Sequence, residues 1–346
     1  MSLSLAALLA RLGAAQRLAV SIQTFSGNHH MVDSSRESWR RGVSTVVITN
    51  GTTERRIASP VDWEVWYEAP DKPEIGWNNP SENRYTGQVR YANQTFDFDW
   101  LLAGDDDTIF LVDNIVNLVR DLDPNDAYYF TDGLLDNTAA CTLREEASER
   151  GEGDCVKSPP ATPCTRAVLS DPSVCPFSPG SEWGIGQSGM LLSRGLINSI
   201  SEADMRACEN CDTDEFCHGA NQQKHNCSGN QCFGGGDVRL GECFYLFGAN
   251  RAGVGPTIPY SHTGVRVFGH PLGDIIGHAE RVLRGEHCDE SCHFVLDRTI
   301  SSDIHHATPE EYWRMTHHFS KVYGEAKHLL HGRHSSPLRV DAPPLP

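Results

Sequence analysis

"DFDWLLAGDDDTIFLVDNIVNLV" occupies residues 97–119, and its reading decides the fold. Three consecutive carboxylates, Asp105, Asp106 and Asp107, stand between the apolar runs Trp100–Ala103 and Ile109–Val112. Adjacent negative charges repel one another, and an unpaired buried carboxylate is costly. A chain gains no stability by setting them beside strand-like residues. For an isolated triplet, an acidic surface turn opened by Gly104 would suffice as an explanation. The flanking runs point instead to two strands, with the acids ending the first. Further on, Ile115, Val116, Leu118, Val119 and Leu122 recur at helical spacing, so a helix is expected over 113–122.

Upstream, "RLAVSIQTFSG" (17–27) reads as a β-run ending in turn residues, and "STVVITNG" (44–51) as a second strand closed by Asn-Gly. Between them "SSRESWRRG" (34–42) predicts a short helix, with Ser34 or Ser35 as N-cap and Gly42 past its end. "AYYFTDGL" is strand-like again. Strand and helix thus alternate through the first 135 residues, which predicts an α/β fold with a Rossmann-like, mostly parallel central sheet flanked by helices. Such sheets bind ligands at the carboxyl ends of their strands, where the acids are expected. Adjacent carboxylates there suit a hard divalent ion such as Mg²⁺ or Mn²⁺, which would bridge nucleotide phosphates.

Beyond residue 136 the character changes. Residues 137–180 are rich in Pro, Gly and Cys and lack periodicity, which predicts a disulfide-tied insertion. "WGIGQSGMLLSRGLINSI" (183–200) reads as a glycine-rich turn running into an apolar helix, and a second cysteine-rich loop (208–232) precedes "FGGGDVRLGECFYLFG" (233–248). All twelve cysteines lie between Cys141 and Cys292. The CxxC at Cys208 and Cys211 has no partner pair at matching spacing, so disulfides in an oxidising compartment are expected rather than a zinc site. N-x-S/T sequons at Asn50, Asn93 and Asn226 fit a secretory route.

The 346 residues are expected to form one large domain over 17–334. Residues 1–16 read as an N-terminal helix or truncated stem, and 335–346 as a disordered tail. Long polar loops follow from a mean hydropathy of -0.41. The net charge of -17, from 46 acids against 29 bases, argues against nucleic-acid or anionic-membrane partners. No run approaches the ~20 apolar residues of a membrane helix.

Five ordered segments carry a family resemblance: "DWLLAGDDDTIFLVDNIVNLVRDLDP", "WGIGQSGMLLSRGLI", "GGDVRLGEC", "GHPLGDIIGHAE" and "SSDIHHATPEEYWRM". In their order and spacing the chain resembles glycosyltransferase family 31, the Fringe and core 1 β1,3-galactosyltransferase group with its plant and algal Fringe-like relatives. The resemblance implies a GT-A glycosyltransferase fold, with 17–135 as the nucleotide-binding half and 181–334 as the acceptor-binding half. It also implies an inverting transferase that moves a hexose or N-acetylhexosamine from a UDP-sugar to a glycan or glycoprotein acceptor, forming a β1,3 linkage. A divalent cation, Mn²⁺ above all, would assist. The expected location is the secretory pathway, in the Golgi lumen or outside the cell.

The resemblance also assigns roles. Asp105 and Asp107 would hold the cation, with Asp106 beside them at the donor. His278 would add an imidazole ligand, with His270 and His306 as rivals. Asp237 is the candidate general base, at the second acid of the family's pair; here Gly236 replaces the first. Asp237 could equally cap the helix that follows it. Thr24 and Arg36 match positions that meet uracil, ribose or phosphate. Gly186, Gln187, Ser188 and Gly189 form the tight turn facing the donor sugar or acceptor, where relatives carry Gly-Gly-Ala-Gly. Trp183 before it would stack on a sugar or fill the core.

Two other classes compete. The acid missing at Gly236 allows a catalytically inactive carbohydrate-binding relative, separable from an enzyme by UDP release in the presence of acceptor. A metal-dependent phosphohydrolase would need further spaced Asp or His ligands in the first half, and none stand out.

Overall fold

The computed structural model describes residues 16–70, 84–130, 134–136, 182–184, 189–210, 240, 244, 272–304 and 307–331. Its strands are β1 (Leu18–Gln23), β2 (Ser44–Gly51), β3 (Arg55–Ile57), β4 (Glu64–Pro70), β5 (Trp100–Asp105), β6 (Thr108–Phe110), β7 (Tyr129–Phe130), β8 (Leu134–Asp136), β9 (Glu182–Gly184), β10 (Met190–Ser193) and β11 (Ser301–Asp303). Its helices are α1 (His29–Glu37), α2 (Arg84–Thr95), α3 (Val112–Val119), α4 (Arg194–Asn198), α5 (Glu202–Asn210), α6 (Leu272–Leu283), α7 (Glu290–Arg298) and α8 (Pro309–His331).

Seven strands form one mixed sheet in the order β3-β4-β2-β1-β5-β10-β7. β4, β2, β1 and β5 are parallel; β3 runs antiparallel to β4 on one side, β10 runs antiparallel to β5 on the other, and β7, antiparallel to β10, returns to the direction of β5. This is the expected α/β class.

Side-chain alternation on the strands divides the core into two layers. Ala19, Val46, Ile48, Leu101, Ala103, Met190 and Leu192 face one way, joined by Tyr85, Val89 and Ala92 of α2. Val20, Ile22, Val47, Trp100, Leu102 and Leu191 face the other, joined by Val32 of α1 and by Ile115 and Val119 of α3. Both faces are covered, so β1, β2 and β5 are continuous apolar runs rather than alternating ones.

A third cluster unites α6, α7 and α8, and reaches Met31, Ile109 and Leu111. Asp289 caps α7 by accepting from Cys292 N at 2.9 Å. A Cys288–Cys292 disulfide pins the same turn. β11 pairs antiparallel with β6. Asn114 of α3 donates to the carbonyls of Leu296 and Thr299, and Lys327 of α8 donates to Asp297 at 2.6 Å. The Asn114 bonds tie α7 to α3, which packs on the sheet, and the Lys327 bond ties α8 to α7. The side chains of the other ten cysteines, the N-terminal segment, the 137–180 insertion and the 335–346 tail lie outside the described residues.

Two local expectations change. α1 begins at His29, so Ser34 and Ser35 sit inside it, buried, instead of capping it. Ser34 Oγ meets Thr316 Oγ1 of α8 at 2.7 Å, and Ser35 Oγ donates to the Val32 carbonyl and accepts from Arg40. Tertiary partners satisfy hydroxyls that the local pattern assigns to a helix end. Gly42 does lie past the helix, at φ 78°. The second change concerns 183–200. "MLLS" is strand β10, buried between β5 and β7, and only Arg194–Asn198 is helical. A short apolar run fits a buried strand and a buried helix equally well, and the neighbouring strands decide.

Candidate functional site

β1 and β5 are in parallel register from Leu18↔Trp100 to Gln23↔Asp105, so both end at the same sheet edge. The acid triplet stands at that edge. Alternation then separates the charges. Asp105 turns to the α2 face, where it accepts from Gln23 Nε2 at 2.5 Å and from the Tyr85 hydroxyl at 2.6 Å. Asp106 turns to the α1 face, where it accepts from Thr24 Oγ1 at 2.6 Å and from Asn28 Nδ2 at 3.4 Å. Asp107 follows in the turn, and its carbonyl accepts from Ile304 N at 3.2 Å. Three repelling acids are tolerated because successive side chains serve different partners.

Burial is uneven. Asp105 and Asp107 are half-buried and Asp106 is buried. Burial pushes the Asp106 carboxyl up to about 6; the Asp107 charge adds to the rise, while the Thr24 and Asn28 hydrogen bonds and the Arg84 guanidinium oppose it. The Asp106 carbonyl accepts from the Tyr312 hydroxyl at 2.8 Å, and burial raises that phenol far above its usual range. Asp106 therefore anchors the acidic turn to α1 and α8, leaving Asp105 and Asp107 as the accessible pair.

Thr24 is thus brought to the triplet, and Arg36 is not. Arg36 lies at the far end of α1, where its Nη2 is 2.7 Å from Glu64 Oε1. Glu64 pairs in register with Thr45 at the start of β2, on the amino edge of the sheet. Arg36 belongs to a buried ion cluster at the opposite edge from the acids. His278 lies in α6; the nearby Asp289 carboxyl is held below its usual range first by the Cys292 amide bond and then by Arg281, with His278 after them. Its Nδ1 is buried without a hydrogen-bond partner among the described residues, and no bond joins it to the triplet. Gly186, Gln187, Ser188, Asp237, His270 and His306 lie outside the described residues, and the backbone of Trp183 forms part of β9, opposite Leu135.

Gly189 has a positive φ of 75°, and a Cβ there would lie 2.6 Å from Phe110 Cζ and 3.1 Å from Thr108 Cγ2. Both conditions favour glycine. Gly189→Ala is expected to cost about 2–3 kcal/mol, from left-handed strain of ~1–2 kcal/mol plus overpacking that the Phe110 ring partly relieves. Thermal unfolding of the variant checks this.

Five residues at the site escape the sequence reading: Gln23, Asn28, Arg84, Tyr85 and Tyr312. Gln23 carried the clearest signal, as a polar residue ending an apolar run beside Thr24. Two exposed aromatics also adjoin the partners of Asp106. Phe25, 44% exposed, follows Thr24, and Trp313, 50% exposed, follows Tyr312.

Among the described residues, no three His, Cys, Asp or Glu side chains converge on one point as a ready cation cage. A pair of accessible carboxylates at a strand end suits a different arrangement, in which one or two carboxylates share a hard cation with water and phosphate oxygens. The donor set fits a nucleotide-bound Mg²⁺ or Mn²⁺.

No family model matches the chain, and no curated protein matches it. Among solved structures, it is similar to galactosyltransferase LgtC in complex with donor and acceptor sugar analogs. Identity is 11% over 89% of this chain and 95% of that one, with a TM-score of 0.38. An active-site mutant of LgtC is similar at 11% identity, with the same coverage and a TM-score of 0.37. Likeness at this level carries no argument about activity.

Proposed function

We propose that this chain is a UDP-sugar-dependent glycosyltransferase of GT-A type, inverting and forming a β1,3 linkage to a glycan or glycoprotein acceptor in the secretory pathway. The observation that carries the reading is the acidic turn at the carboxyl edge of β1 and β5, with Asp106 tied inward and Asp105 and Asp107 accessible. The family resemblance of the same segment supplies the substrate class.

In this reading Asp105 and Asp107 hold a divalent cation, Mn²⁺ or another. When bound, the cation supplies charge stabilisation to the departing nucleotide diphosphate. Thr24 and Asn28 keep Asp106 oriented and so fix the turn. Arg84 adds positive charge at a strongly acidic edge, where an anionic donor would otherwise be repelled. Phe25, next to Thr24, offers a flat face for a base or a sugar ring. Asp237 takes the proton of the acceptor hydroxyl as that oxygen attacks the sugar. His278 remains the proposed imidazole ligand to the cation.

Asp107→Ala tests the cation bridge. UDP affinity in Mn²⁺ is expected to fall at least about tenfold, equivalent to about 1.4 kcal/mol. The fold should persist, because the substitution relieves repulsion. Calorimetric titration with UDP, with and without EDTA, reads the effect. Equal affinity in the variant, or in wild type with EDTA, would remove the cation from the mechanism.

A further inference from the structure

Resting on the cation reading above, we propose that Gln23 and Tyr85 are positioning residues that hold Asp105 in the orientation in which it receives the cation. Each oxygen of the Asp105 carboxylate has its own donor, Gln23 Nε2 on Oδ1 at 2.5 Å and the Tyr85 hydroxyl on Oδ2 at 2.6 Å. Two donors on opposite oxygens fix the carboxylate plane as well as its direction. An ionised carboxylate has about four lone-pair sites, more than these two bonds use.

The two donors stand on rigid supports. Gln23 ends β1, which lies between β2 and β5 in the sheet and is in register with Asp105 itself. Tyr85 lies in the first turn of α2, 6% exposed and packed into the cluster on that face. α2 also contacts β1, β2 and β5. Neither support is a loop, so the carboxylate is set before any ligand arrives. Asp106 differs, since its partners Thr24 and Asn28 lie on the opposite face and it is buried.

Outer partners of metal ligands are typically worth ~10–100-fold in metal affinity. Tyr85→Phe removes the hydroxyl and keeps the ring that packs the core. Tyr91→Phe is the control on the same helix: Tyr91 is also buried, but its hydroxyl bonds to Glu54. Gln23→Met removes the second donor at similar size and serves if Tyr85→Phe fails to fold.

The readout is free Mn²⁺, followed by electron paramagnetic resonance during titration of the full chain with Mn²⁺ in saturating UDP. Tyr85→Phe and Gln23→Met should each weaken Mn²⁺ binding by about 10–100-fold, and Tyr91→Phe should leave it within about twofold. A merely structural role would move the melting temperature of both tyrosine variants and spare the Mn²⁺ affinity. Unchanged affinity in Tyr85→Phe or, where that variant does not fold, in Gln23→Met overturns the proposal. An equal loss in Tyr91→Phe does the same. Wild-type protein that retains no Mn²⁺ with UDP removes the cation reading and this proposal together, whereas wild-type binding with insensitive variants removes only this one.

Discussion

Glu64→Gln is expected to lower stability by about 3–5 kcal/mol, the usual cost of stranding a buried charge by deleting its partner. Glu64 Oε2 accepts from Arg40 Nη1 at 2.6 Å, and both side chains are fully buried. Its Oε1 accepts from Arg36 Nε at 2.9 Å and Trp66 Nε1 at 2.5 Å. Burial drives the Arg40 guanidinium down to about 10 against the pull of Glu64, so it remains a cation at neutral pH. With glutamine at 64, that cation loses its counter-charge inside the sheet's amino edge. At about 1–2 °C per kcal/mol for a domain of this size, melting should fall by roughly 3–10 °C.

The pH dependence has a definite sign. Burial opposes ionisation of Glu64, but Arg40, Arg36 and the Trp66 bond outweigh it, and the carboxyl lies below its ordinary 4.5. A depressed folded-state pKa stabilises above the unfolded value, and the contribution fades as pH falls through the folded one. The gap between wild type and Glu64→Gln should therefore be full above about pH 4.5 and narrow below it. Glu68→Gln provides the contrast. Its partner Arg55 is 63% exposed, and solvent screens the pair, so melting should stay put. If Glu64→Gln melts with wild type at neutral pH, the buried cluster is not what secures α1 to β4.

The second large effect concerns catalysis and rests on the proposed function. Asp237→Asn keeps the size of the side chain and most of its hydrogen bonding but cannot take a proton at neutral pH. General-base contributions run at ~10²–10⁴-fold, so transfer to acceptor should fall by about that factor. UDP affinity should barely change, because the nucleotide is assigned to Asp105 and Asp107. Asparagine caps a helix about as well as aspartate, so melting should also hold. Loss of transfer with UDP binding and stability intact isolates chemistry from folding. Near-normal transfer would pass the role to another carboxylate, with Glu242 the next to replace.

Sequence by itself determined the elements whose signals are local. The apolar runs that became β1, β2 and β5, the helical spacing of α3 and the acids at the end of β5 all read correctly, because periodicity and strand ends are properties of a few neighbouring residues. Only the tertiary structure decided which neighbours those elements meet. Arg36 matches a nucleotide-contacting position of the resembled family, yet α1 carries it to Glu64, 28 residues on, at the other edge. "MLLS" became a strand because β5 and β7 flank it. The donors that fix the triplet come from across the fold: Gln23 lies 82 residues from Asp105, and Tyr312 lies 206 from Asp106. Such pairings depend on sheet order and on which face each residue takes, and no local pattern encodes either.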